Sequence, residues 1–112
     1  MNPKTGNPKK IIWTGFAREC LKDISLYYTE VAGPGVSRKI RKQIFHATRH
    51  LIKHPESGQV ESLLQGQEQE FRYCIAGNYK IIYTVVEENI LVTDVFDTRQ
   101  NPVKMNKPDR KQ

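Results

Sequence analysis

Three histidines, His46, His50 and His54, recur at steps of four residues. On a helix that spacing puts them along one face, where neighbouring imidazoles can share a zinc ion. The same face carries Lys39, Lys42 and Arg49 and lies opposite Ile40, Ile44 and Leu51. Clustered cations repel a dication, so the expectation is a solvated basic face without a metal, one that can also meet phosphate. Cys20 falls in an apolar helical stripe and Cys74 in a predicted strand, with no CxxC pair. Both read as reduced core thiols. Gly33–Pro34–Gly35 lies between two helical patterns rather than after a strand, so its glycines serve a turn and not a phosphate loop. Neither a metal nor a cofactor is expected.

The C-terminal half holds a second set of cations, Arg72, Lys80 and Arg99. Arg72 and Lys80 flank a hairpin turn and are expected to approach each other across the ladder. Arg99 follows the last predicted strand. Convergence of all three on a sheet edge would suit the negative charge of a phosphodiester transition state. The competing expectation pairs each with a nearby carboxylate such as Glu70, Asp94 or Asp97.

The elements that must position these residues are legible in the pattern. Lys10–Ile11–Ile12–Trp13–Thr14 is β-branched and aromatic and reads as a strand. Thr14 can cap a helix from about Gly15, in which Ala17, Leu21, Ile24, Tyr28 and Val31 form one apolar stripe. Ser37 is taken as the cap of a second helix to about Lys53, with Ile40, Ile44, Ala47 and Leu51 on one line. From Glu56 to Gln69 the pattern is lost. Strands are expected over Glu70–Ile75, Tyr79–Val86 and Ile90–Phe96, joined by turns short enough to force antiparallel pairing. The order β-α-α-β-β-β implies an α+β domain, an N-terminal strand and helical hairpin packed on an antiparallel sheet.

With 112 residues, 38% hydrophobic and 27% charged, the chain has room for one modest core. No apolar run approaches the roughly 20 residues of a membrane span, and no signal peptide is evident. The expectation is a cytoplasmic protein with no membrane partner. Its net charge of +6 is unevenly spread. Lys4, Lys9 and Lys10 precede the body, and Lys104, Lys107, Arg110 and Lys111 follow it against Asp109 alone. Residues 1–9 and 106–112 read as flexible basic tails around a single domain, 10–105. Between Val31 and Pro55 lie six Lys or Arg and no acid. Such segregation favours an acidic partner or a phosphate backbone.

Several phrases, in order, resemble the RelE/ParE superfamily of bacterial type II toxins. They are Ile11–Ile12–Trp13–Thr14; His54–Pro55–Glu56–Ser57–Gly58; Phe71–Arg72; Gly77–Asn78–Tyr79–Lys80–Ile81–Ile82–Tyr83; and Val95–Phe96–Asp97–Thr98–Arg99–Gln100–Asn101–Pro102. The resemblance implies a growth-inhibiting toxin of the plasmid-stabilisation type, neutralised by a cognate acidic antitoxin. It implies one of two targets. ParE-like members inhibit DNA gyrase without bond-breaking chemistry of their own, and RelE-like members are ribosome-dependent mRNA endoribonucleases.

For a ribonuclease, Lys80 and Arg99 are the catalytic cations the resemblance supplies, with Glu68, Glu70 and Asp97 as candidate bases. Lys80 stands where many ribonuclease members carry Arg, and Asp97 where many relatives carry His. The C-terminal Tyr or His of those enzymes has no counterpart, since neither residue occurs after Tyr83. The reading therefore leans to a ParE-like binder of gyrase, with Arg72, Lys80, Arg99, Gln100, Asn101 and Lys104 as the binding residues. The ribonuclease acting on ribosome-bound mRNA is the alternative.

Overall fold

The computed structural model describes residues 10–107. The N-terminal arm and the last five residues of the basic tail lie outside the described residues. The elements run β1 (Ile11–Trp13), α1 (Gly15–Ala32), α2 (Pro34–Lys53), β2 (Gln59–Val60), β3 (Arg72–Ala76), β4 (Tyr79–Val86) and β5 (Asn89–Asp97). They form the expected α+β arrangement, a helical hairpin on one face of a five-stranded sheet of order β1-β5-β4-β3-β2. Pairing is antiparallel except that β1 runs parallel to β5, Ile12 opposite Leu91.

Local chemistry explains the boundaries. The Thr14 hydroxyl accepts the Ala17 N–H at 3.0 Å and so satisfies a donor that the first turn of α1 leaves free. The second helix does not begin at Ser37. Pro34 opens it, preset to a helical φ and lacking only an N–H that would be unpaired there. Gly33 precedes it at φ 93°, a left-handed backbone suited to glycine. Ser37 is buried inside the helix, and its hydroxyl donates to the Ser25 carbonyl of α1 at 2.9 Å. A hydroxyl facing a neighbouring helix and a hydroxyl at a cap look alike in sequence.

The central strand β4 is apolar on both sides because it packs on both sides. Tyr79, Ile81 and Tyr83 join Ala17, Cys20, Leu21, Ile24, Ile44 and Leu51 beneath the helices. On the opposite face Ile82 packs with Phe96, Leu64 and Met105. That second layer accounts for the stretch without pattern. Residues 56–69 hold a two-residue strand, β2, and a 3-10 turn, Ser62–Leu64, that lays Leu64 on the sheet. Elements of two or three residues are too short to show a period.

The chain after β5 is held by a bulge. Tyr83 faces Val92 and Ile82 faces Asp94, leaving Thr93 extra. The Thr93 hydroxyl donates to Asn106 Oδ1 at 2.9 Å, and the Asn106 N–H donates to the buried Asp94 carboxylate at 2.7 Å. Asn106, the first residue assigned from the sequence to the tail, is thus docked on the sheet.

The turn between β4 and β5 places Glu87 at φ 52° and Glu88 at φ 71°. Left-handed backbone costs a residue with a Cβ about 1–2 kcal/mol, and a two-residue turn of this kind prefers Asn-Gly. The double substitution Glu87→Asn/Glu88→Gly is therefore expected to raise stability by about 1–2 kcal/mol, read as a higher urea midpoint at unchanged m. An unchanged or lower midpoint would show that the turn is not under strain.

Candidate functional site

The three C-terminal cations do not converge. Arg72 stands opposite Tyr83, whereas Lys80 stands opposite Ile75. Side chains alternate along a strand, so the two lie on opposite faces of the sheet. Their places on either side of the turn suggested neighbours across the ladder, but the register sets Arg72 three pairs away from Lys80. Arg72 belongs to the helix side, and its guanidinium donates to the Gly58 carbonyl at 2.8 Å and the Glu56 carbonyl at 3.2 Å. It also pairs with the exposed Glu70 at 3.2 Å. Its work is to hold the loop that follows α2.

The same loop is fixed from below by Tyr83. The Tyr83 hydroxyl donates to the Pro55 carbonyl at 2.8 Å and accepts the Gly58 N–H at 3.0 Å. Burial is the largest influence on this phenol and raises its pKa. Burial likewise pushes the Cys74 thiol up to about 11, which leaves it protonated and inert at neutral pH, as a core thiol should be.

Lys80 lies on the far face with its ammonium 2.6 Å from Glu61 Oε1 and 4.2 Å from the centre of the Tyr73 ring. The Glu61 side chain is only 3% exposed. Its second oxygen accepts the Leu63 N–H at 3.1 Å and so caps the short turn. Glu61 is the residue that sequence reasoning missed. The available signal was an acid two residues before the Leu63–Leu64 pair, but nothing in the pattern tied it to Lys80.

Arg99 lies at the other end of the sheet beside α1. Its Nε and Nη2 grip the two oxygens of Asp97, each at 2.8 Å, and its backbone N–H adds a third bond at 2.9 Å. The Arg99 hydrogen bonds hold the Asp97 carboxyl below the usual carboxylate range, and the guanidinium is held above its own. Asp97, Arg99 and Gln100 line a shallow cleft with Ile24, Tyr27 and Tyr79. Burial raises the Tyr79 phenol as well. Asn101 is exposed, and its carboxamide oxygen accepts the Val103 N–H at 3.2 Å to start the turn Pro102–Lys104. Lys104 is exposed on that turn.

The carboxylate-paired expectation therefore describes the arrangement: Arg72 with Glu70, Arg99 with Asp97, and Lys80 with Glu61 in place of the expected partners. Asp94 pairs with none of them and anchors Asn106 instead. Glu68 and Glu70 border a cleft with Arg72 and Tyr83, away from Lys80.

His46 and His50 sit on the exposed side of α2 as anticipated, and His54, also exposed, follows its last residue. The His50 and His54 rings stack with centres 4.6 Å apart. Among the described residues no group of three or more His, Cys, Asp or Glu is arranged to hold a metal ion. No helix among them is long and apolar enough to cross a membrane.

Comparison with known proteins gives a consistent picture. Residues 11–102 match the family model described as ParE toxin of type II toxin-antitoxin system, parDE. No curated protein matches the chain in sequence. Among solved structures, a chain of the chromosomal ParDE TA system from P. aeruginosa superimposes with a TM-score of 0.66 at 17% identity. The match covers 79% of this chain and 94% of that one, and at this identity it speaks to the fold.

Proposed function

Because the chain belongs to the ParE toxin family of type II toxin–antitoxin systems, we propose that it acts in the cytoplasm by binding and inhibiting DNA gyrase, and that a cognate acidic antitoxin holds it inactive. The single observation that carries the choice of target is the state of the two cations a ribonuclease would need. Lys80 is neutralised by a buried carboxylate at 2.6 Å, and both arms of the Arg99 fork that face Asp97 are occupied. A cation stabilises a phosphorane best when its charge is aimed at the reacting group rather than spent on an internal partner. Arg99, Gln100, Asn101 and Lys104, all on the segment after β5, are assigned to the gyrase-binding surface. Arg72 and Lys80, which lie on opposite faces of the sheet and are engaged by the loop after α2 and by Glu61, are left out of it. The antitoxin is drawn by the chain's excess of positive charge.

Expression in bacteria with parallel assays of supercoiling and translation tests the reading. The expected result is loss of negative supercoiling and DNA damage while translation continues, reversed by co-expression of the acidic gene product encoded beside the toxin. Growth arrest with normal supercoiling and with mRNA cut at the ribosomal A site would overturn it in favour of the ribonuclease.

A further inference from the structure

We infer that the solvent face of α2 is a binding surface for the backbone of duplex DNA, independent of base sequence. At 100° per residue, positions 35, 38, 39, 42, 46, 49, 50 and 53 share an arc of about 120°. Apart from Gly35 every one is a cation or an imidazole: Arg38, Lys39, Lys42, His46, Arg49, His50 and Lys53. All seven are exposed. Directly opposite lie the buried Ser37, Ile44, Thr48 and Leu51, so packing against α1 and the sheet turns this arc outward.

Three observations choose the ligand. First, charge is segregated rather than merely abundant. From Ile11 to Val103 the chain carries eleven cations and eleven acids, yet α2 has no acid. Among the described residues the ion pairs are made by Arg72, Lys80 and Arg99, and none involves α2. Second, Arg38, Lys42, His46, Arg49 and Lys53 advance by three or four residues, about 4.5–6 Å each, over a length of about 22 Å. That row spans roughly six base-pair steps of a duplex at about 3.4 Å each.

Third, the arc has no apolar centre. The exposed apolar residues of α2 are Val36 and Phe45, both at its margins, and Phe45 is taken up by Trp13 with ring centres 5.4 Å apart. Protein interfaces centre on apolar and aromatic anchors, and single-strand binders need aromatic platforms. A cationic polar face suits a duplex backbone. The major groove of B-DNA, about 12 Å wide, admits a helix, whereas that of duplex RNA is too narrow. The inference does not depend on gyrase being the target.

The test is fluorescence anisotropy of the purified full chain with labelled 25-base-pair DNA duplexes of two sequences, across a salt series of about 50–200 mM. Five Lys or Arg contacts predict a slope of log K against log salt of about −4, and thus a loss of about 10²- to 10³-fold over that range. Lys42→Gln/Arg49→Gln/Lys53→Gln should fold normally by circular dichroism and flatten the slope to about −2. It should bind at least tenfold more weakly at low salt. The control Arg18→Gln/Lys22→Gln, on α1, should keep the wild-type slope, and both sequences should bind within about threefold of each other. Any of three outcomes would overturn the inference: no duplex binding at 50 mM salt, an unchanged slope in the α2 variant, or tighter binding of duplex RNA or an acidic peptide than of DNA.

Discussion

Gly58→Ala is expected to lower the melting temperature by about 10–20 °C. A Cβ built at this position would lie 2.5 Å from the Tyr83 hydroxyl, 2.7 Å from the Tyr73 carbonyl oxygen and 2.8 Å from Tyr83 Cε1. None of these can yield cheaply. Tyr83 is fully buried in the main core, and the Tyr73 carbonyl belongs to β3. Overpacking costs about 1–3 kcal/mol, and each hydrogen bond lost around the Tyr83 hydroxyl adds about 1 kcal/mol, for a total of about 3 kcal/mol. Tyr83→Phe removes the obstructing oxygen but orphans the Gly58 N–H and Pro55 carbonyl, at a cost of about 2 kcal/mol. Because the two changes share one contact, the double variant should lose less than their sum. Thermal melts of the three variants decide it. A Gly58→Ala protein that melts within about 3 °C of the parent would show that the loop after α2 is free to move away.

Lys80→Ala is expected to cost about 3 kcal/mol, because it leaves the Glu61 carboxylate buried without its partner. The pairing is close, 2.6 Å, and Glu61 is nearly inaccessible to water that might replace the ammonium. Lys80→Met/Glu61→Leu removes both charges at similar volume and should recover most of that stability. The residual deficit comes from the lost cap on the Leu63 N–H. Denaturant unfolding measures the cycle. The same double variant separates stability from mechanism. A gyrase inhibitor with a refolded Lys80 site should still arrest supercoiling, whereas a ribonuclease using the Lys80 ammonium should lose about 10²-fold or more in cleavage. Retained toxicity with normal folding would therefore count against catalysis by Lys80, and full recovery of stability with loss of all toxicity would make Lys80 a functional contact.

The two variants probe the places where sequence and structure part company. Most local decisions were visible. Of the stripe Ala17, Leu21, Ile24, Tyr28 and Val31, the first three turned toward the core because a helix repeats every 3.6 residues. Tyr28 is half-buried, and Val31 in the last turn is exposed. Thr14 capped α1 because its hydroxyl can reach the Ala17 N–H. The doubly apolar run of β4 announced a strand covered on both faces. The basic side of α2 was equally legible, since the wheel that buries Ile44 and Leu51 must expose Arg38, Lys42 and Arg49.

What one sequence could not show was which distant residues meet. Glu61 and Lys80 are nineteen residues apart and touch only because the 3-10 turn lays its segment on the far side of the sheet. Arg72 and Lys80 looked like neighbours and are separated by the sheet itself. The parallel seat of β1 beside β5 and the anchoring of Asn106 on Asp94 follow from no turn or period. Period, capping and charge segregation are properties of adjacent residues and are set by backbone geometry alone. Ion pairs, faces and register between remote segments are set by how the layers close over one another. The chain's elements, its cationic helix and the pairing of Arg99 with Asp97 two residues before it were thus determined locally, while the neutralisation of Lys80, on which the choice between binder and nuclease also turns, was decided by tertiary packing.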